Sequence, residues 1–255
     1  MIDAILLAGG IPTPDSSLYP YTQGKPKAAL EIAGKSMLQW ILDALEKAET
    51  INKVVIVGCE GLEHNIKSSK VACHIPAGSD MIETFKIGAE TVLGLNSAAQ
   101  DVVVISTDIP MITPESVDWV INTSRESQDE IYFFLIDQPT MEKKYPGSGR
   151  SYTKLKDLNV CGGDIGVVNL DLYTKNKDFW TKLVKARKST LHMASLIGID
   201  ILLLLILRRI SLQDLVTKVT RRLGITGKGL LCPYAEIGMD IDKPYQLELA
   251  IKELN

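Results

Sequence analysis

At 255 residues, 45% hydrophobic and 23% charged, the chain is long enough to bury one large α/β core without disulfide or metal staples. A formal charge of -3 and a pI near 5.7 exclude the basic footprint of a stable nucleic-acid binder, yet allow small anionic ligands in a locally positive site. Cys59, Cys73, Cys161 and Cys232 form no C-x-x-C pair, which argues against a zinc knuckle or redox dithiol and predicts reduced, mostly buried thiols.

The chain enters Ile2-Asp3-Ala4-Ile5-Leu6-Leu7 with no basic leader and no cleavage site, so a cytoplasmic enzyme is expected. Val/Ile-rich runs at 4–7, 53–57, 102–106 and 131–135 alternate with helical patterns, the signature of βαβ units around a mostly parallel sheet. Their near-continuous apolarity suits strands covered on both faces. Leu38, Ile41, Leu42 and Leu45 recur at i, i+3, i+4, i+7 and predict the first crossover helix; a second is expected over 82–93. Thr113-Pro114-Glu115 opens a third, with a capping hydroxyl, proline at the first helical position and an early acid.

The segment 139–153, rich in Lys, Pro, Gly and Ser and without periodicity, reads as a long functional or mobile loop. A strand at 164–169 is followed by helical segments ending at 211–222, where Ser211 and Asp214 resemble a capping box and Leu212, Leu215, Val216 and Val219 form the stripe. The apolar run 191–207 is shorter than the roughly 20 residues a membrane span needs, is interrupted by His192 and Asp200, and is read as a core helix closed by Arg208-Arg209. A short strand near 230–232 and a last helix with Leu247, Ala250, Ile251 and Leu254 on one face complete the chain. No internal repeat is present.

Three elements can carry chemistry. Leu7-Ala8-Gly9-Gly10 ends the first strand and is followed by Lys25-Pro26-Lys27, in outline a phosphate cradle of backbone N–H groups and a balancing lysine. Taken alone, the same residues describe a tight turn with two solvated lysines. Neither G-x-G-x-x-G nor G-x-x-x-x-G-K-[ST] occurs, which excludes the usual dinucleotide and P-loop fingerprints. Ser106-Thr107-Asp108-Ile109-Pro110 stands at a strand's carboxyl end, where Asp108 suits a hard cation such as Mg²⁺ or else caps its own turn. In Gly238-Met239-Asp240-Ile241-Asp242-Lys243-Pro244, Asp242 is expected to cap the last helix, leaving Asp240 to complete a metal site with Asp108.

This ordered set, with Pro26-Lys27-Ala28-Ala29-Leu30 and Gly34-Lys35-Ser36-Met37-Leu38, resembles the nucleotidyltransferase superfamily that includes sugar-1-phosphate nucleotidylyltransferases and molybdenum-cofactor guanylyltransferases. The resemblance implies a Rossmann-like three-layer α/β sandwich over 1–255, with a nucleotide-binding half at 1–137. An acceptor-side half at 138–255 would carry a helical insertion over about 171–222. It implies that Leu7, Ala8, Gly9, Gly10 and Thr107 surround the NTP, that Lys27 contacts its phosphates, and that Asp108 and Asp240 hold Mg²⁺ or Mn²⁺. A segment after the third strand would read the base, here Gly78-Ser79-Asp80, and Cys161-Gly162-Gly163-Asp164 would be the strand edge lining the acceptor. One departure is that the family's G-x-R arginine is missing: Gly10 is followed by Ile11-Pro12-Thr13-Pro14, and Lys25 is its expected substitute, a point charge without the planar fork.

The implied reaction joins an NTP to a small phosphorylated acceptor and releases pyrophosphate. A phosphate nucleophile, with a second pKa of about 6, needs no general base, so His64, His74 and His192 can be bystanders. A non-catalytic nucleotide-binding module and a sugar-nucleotide-dependent glycosyltransferase using Asp240-Ile241-Asp242 as its D-x-D are the competing readings. Lys185, Arg187, Lys188, Arg208, Arg209, Arg221 and Arg222 read first as a solvated lid or partner surface. Tyr19 and Tyr21 either stack on a base or anchor the first loop. No nucleic-acid or membrane partner is expected, and a homodimer is compatible with the sequence.

Overall fold

The computed structural model describes residues 1–62, 65–176, 179–180, 183 and 196–255. The apolarity of the first strand is explained by what covers it. In β1, Ile2–Leu7, Ala4 and Leu6 pack into one hydrophobic cluster while Ile5 packs into another on the opposite face. The first cluster is supplied by α2 (Met37–Lys47), α4 (Pro114–Ser124) and the last helix; the second by α3 (Met81–Leu95) and α6 (Leu170–Lys175). Before α2 come α1 (Tyr19–Thr22), a 3₁₀ turn Lys27–Ala29 and the small hairpin β2 (Glu31–Ile32) and β3 (Lys35–Ser36). The helix starts are chemically specified: Ser36 Oγ accepts from Gln39 N–H, and Thr113 Oγ1 from Ser116 N–H with Pro114 in the first turn.

The remaining strands are β4 (Ile51–Val57), β5 (Val71–Ile75), β6 (Asp101–Ser106), β7 (Ile131–Asp137), β8 (Thr153–Lys154), β9 (Asn159–Asn169) and β10 (Gly227–Leu231). Their order is β10-β7-β9-β6-β1-β4-β5, with β8 added on β9. The pairs β1–β4, β1–β6, β4–β5 and β7–β10 are parallel, and β9 runs antiparallel between β6 and β7. From β1 the chain builds outward to β4 and β5, then crosses back to β6 on β1's other side. The strand order therefore reverses at β1–β6, and a crevice opens beyond their carboxyl ends.

Several expectations need correction. β5 was not foreseen, because this edge strand is short and only half buried, so it lacks a continuous apolar run. The segment 139–153 is not loop throughout: α5 (Gln138–Lys144) occupies its start, with Asp137 accepting from Thr140 N–H and only Met141 buried, too little for a visible stripe. The helix α7, Ile199–Ile206, is not a core helix. Ile201 is buried with Ile210, Leu155 and Val160, whereas Ile199, Leu203, Ile206 and Leu207 are exposed. The helix α8, Leu212–Leu223, is capped by Ser211 as expected, and Leu212, Leu215 and Val219 pack beside α7. In the last helix, α9 (Pro244–Leu254), Leu247 and Ala250 are buried but Ile251 is exposed. No helix of the described residues is long and apolar enough to cross a membrane. His64, Lys182, Lys185, Arg187, Lys188, Leu191 and His192 lie outside the described residues.

Candidate functional site

Beyond β1, Ala8 N–H donates to Val57 carbonyl oxygen and the chain turns through Gly9-Gly10. A Cβ on Gly9 would stand 2.6 Å from Ala77 Cβ, so only glycine lets this turn lie against the segment after β5. Lys27 N–H donates to Gly10 carbonyl oxygen at 2.8 Å, which folds the 3₁₀ turn back onto the glycines. Beyond β6, Thr107 donates through its hydroxyl to Leu7 carbonyl oxygen at 3.0 Å.

Between these segments lies a cavity of about 380 Å³. Leu7, Gly9, Gly10 and Lys27 line it from the first half-site, Thr107 and Asp108 from the β6 end, and Gly78 and Ser79 from the far wall. Asp80 caps α3 there, accepting from Ile82 and Glu83 N–H at 2.9 and 3.0 Å, so the positive end of the helix dipole meets the cavity. The predicted nucleotide-site residues are thus brought together, with two exceptions: Ala8 is buried behind the turn, and Lys25 is exposed and does not line the cavity. Tyr19 and Tyr21 do not line it either. A larger dish of about 1040 Å³ opens at the other end of the sheet, around Asp101, Glu130 and Asn169, and contains none of these motifs.

Asp108 and Asp240 do meet. Carboxylate oxygens of Asp108, Asp240 and Asp242 all lie within 4.8 Å of one another. Asp242 corrects the expectation that it would cap α9: the cap position is Lys243, and the Gln246 side chain accepts from Asp242 and Lys243 N–H, both at 2.9 Å. That frees the Asp242 carboxylate to face Lys27. Lys27 Nζ donates to Asp108 at 2.9 Å and to Asp242 at 2.5 Å, and Ser106 Oγ donates to Asp108 at 2.6 Å. Burial alone would lower the Lys27 pKa, but Asp108 and Asp242 together outweigh it and hold the ammonium above its ordinary range.

Of the residues predicted to line the acceptor, Gly162, Gly163 and Asp164 lie within β9, an internal strand and not an edge. Burial, reinforced by Asp108, pushes the Asp164 carboxyl up to about 7. Beside it stands a residue that sequence reasoning missed, Arg150, whose guanidinium pairs with Asp240, donates to Gly162 carbonyl oxygen at 3.2 Å and comes within 3.8 Å of Asp164. The available signal was Pro146-Gly147-Ser148-Gly149-Arg150, a cation behind two glycines inside the supposed loop.

The domain described as the MobA-like NTP transferase domain matches residues 4–146, more than half of the chain, with Gly9, Gly10, Lys27, Gly78 and Asp108 among them. The chain belongs to this family. Among curated relatives, a probable molybdenum cofactor guanylyltransferase of Pyrococcus horikoshii is 31% identical over 107 residues, 41% of this chain. The match spans about half of that relative's length, 51%. Among solved structures, a hypothetical transferase from Thermus thermophilus is 28% identical with a TM-score of 0.81, covering 96% of this chain and 99% of that one. A 4-diphosphocytidyl-2C-methyl-D-erythritol synthase from Anaerococcus prevotii, at 12% identity and a TM-score of 0.60 over 100% of this chain and 96% of that one, shares the fold. The MobA-like match ends at 146, so Arg150, Asp164, Asp240 and Asp242 all stand beyond it.

Proposed function

We propose that this MobA-like NTP transferase moves an NMP group from an NTP to a small phosphorylated acceptor, with a divalent cation, and releases pyrophosphate. The observation that carries this reading is the convergence of Asp108, Asp240 and Asp242 within 4.8 Å at the mouth of the Gly9-Gly10-Lys27 cavity. Three carboxylates form a hard, all-oxygen donor set, which fits Mg²⁺ or Mn²⁺.

When bound, such a cation would neutralise charge on the reacting phosphate. The chain supplies the rest. The Gly9-Gly10 turn lets polyphosphate approach the backbone, and Lys27 offers a protonated ammonium for the charge that builds on the departing pyrophosphate. The segment Gly78-Ser79-Asp80 is the candidate base reader, and Gly162-Gly163-Asp164 the candidate acceptor wall. An acceptor phosphate oxygen then forms the new bond to the α-phosphorus as the bond to the β-bridging oxygen breaks. Positioning and charge neutralisation suffice, because the acceptor's second pKa is about 6.

The test is pyrophosphate release over a panel of NTPs, sugar phosphates, alcohol phosphates and a cofactor phosphate, with and without Mg²⁺. Release with one NTP–acceptor pair supports the reading. Binding without release under every pairing favours a non-catalytic module, and release of nucleoside diphosphate from a sugar nucleotide favours a glycosyltransferase.

A further inference from the structure

Arg150 enters the site from a loop whose backbone is pinned just ahead of it. Gly149 has φ +63°, and a Cβ there would collide with the Tyr245 hydroxyl, so the residue before the arginine must be glycine. Ser148 is fully buried, donates through its hydroxyl to Glu142 at 3.2 Å, and accepts at its carbonyl oxygen from Gln246 Nε2 at 3.3 Å. Gln246 is also the residue that orients Asp242 and Lys243, so one side chain sets the arginine loop against the acidic segment.

The guanidinium itself is far less settled than its backbone. Its Nη1 pairs with Asp240, yet its Nε is buried with no acceptor, and Asp164 Oδ2 beside it is buried with no donor. A buried ion pair kept for stability satisfies its N–H groups, because each one left unmet is a net cost. Here Nη2 faces Gly162 and Asp164, on the wall assigned above to the acceptor, and the carboxylate that holds Nη1 is one the cation site requires. Charge, planarity and a pair of Nη groups held by the site's own oxygens together describe a fork for a phosphate or carboxylate.

We infer that Arg150 is the acceptor's oxyanion-binding residue and that Asp240 holds it in reserve, releasing it when a divalent cation takes over that carboxylate. The inference rests on the transferase reading and adds an order to it: Arg150 becomes available only as the cation site is completed. No covalent bond changes in this exchange; one ion pair is replaced by two. Cation and acceptor oxyanion must then favour each other's binding, by the reciprocity of linked equilibria.

The test uses Mn²⁺ titrations of the full chain, read by the electron paramagnetic resonance of free Mn²⁺, with and without inorganic phosphate as the oxyanion probe. Wild type should bind Mn²⁺ roughly 5-fold or more tightly when phosphate is present. Arg150→Ala should bind Mn²⁺ several-fold more tightly than wild type without phosphate, and phosphate should add little. Arg150→Lys, which keeps the charge but not the fork, should also lose most of the coupling, and it carries the test if Arg150→Ala shows no cooperative unfolding transition. Unchanged Mn²⁺ affinity in the variants, or phosphate coupling equal to that of wild type, overturns the inference. Calorimetric binding of Mn²⁺–NTP separates the two levels: wild type that binds no Mn²⁺–NTP sinks the transferase reading and this inference with it, whereas intact NTP binding with unaltered coupling sinks only the role of Arg150.

Discussion

The backbone N–H of Ile241 donates to the carbonyl oxygen of Asp108 at 2.9 Å. This bond ties the segment carrying Asp240 and Asp242 to the end of β6, so the acids on either side of it cannot drift apart without breaking it. Replacing Asp108 or Asp240 by Ala should therefore remove one of three carboxylates from a prearranged grip while leaving the backbone tie intact. Mn²⁺ affinity should fall at least tenfold, and turnover by roughly 10²-fold or more, as for other lost transition-state contacts. Metal titration and pyrophosphate release measure the two losses, and chelation should abolish turnover reversibly.

Lys27 sits between Asp108 and Asp242 while facing the glycine turn. Lys27→Met removes the positive charge but keeps most of the stem volume. Turnover should drop by roughly 10²-fold, and NTP affinity should weaken, which direct NTP binding would reveal. A variant with wild-type turnover would remove Lys27 from the chemistry.

The folded Asp164 carboxyl keeps its proton up to about 7, whereas the unfolded one ionises near its ordinary 3.8. Between those values the folded chain binds more protons, so the contribution of Asp164 to stability falls as pH rises through the window. Asp164→Asn removes that loss and should raise the Tm at pH 8 by a few degrees while changing it little at pH 4. Thermal unfolding across pH 4–8 in metal-free buffer reads the slope.

Gly9→Ala would drive a methyl to 2.6 Å from Ala77 Cβ. The two segments walling the cavity must then separate. A cost of about 1–3 kcal/mol in urea unfolding is expected, with weaker NTP binding. Ala at Gly10, where a Cβ meets nothing within 4 Å, is the control that should unfold like wild type.

Gln246 is 2% exposed and serves Asp242 N–H, Lys243 N–H and the Ser148 carbonyl oxygen at once. Gln246→Leu leaves those groups without their partner, so a loss of about 2–3 kcal/mol is expected. Because Asp242 and the arginine loop both lose their register, Mn²⁺ affinity should fall as well. Denaturant unfolding and metal titration together test the coupling.

What the sequence determined by itself was local. The buried strands at β1, β4 and β6, the helices with a clear apolar stripe, and the caps Ser36, Thr113 and Ser211 follow from periodicity and short-range hydrogen bonding. The order of its motifs was enough to suggest the family and to nominate Gly9, Gly10, Lys27, Asp108 and Asp240. What only the tertiary structure decided was which far-apart groups share a partner. Local chemistry favoured Asp242 as the cap of the last helix, but Gln246 took the capping task because α9 packs where its side chain can reach back. Arg150 carries only a weak local signature, a cation behind two glycines, since its meaning comes from β9 and the Asp240 segment, which reach it only once the sheet is assembled. The apolar helix α7 shows the same limit: composition records how greasy a helix is, but the neighbours packed against it determine which face is covered.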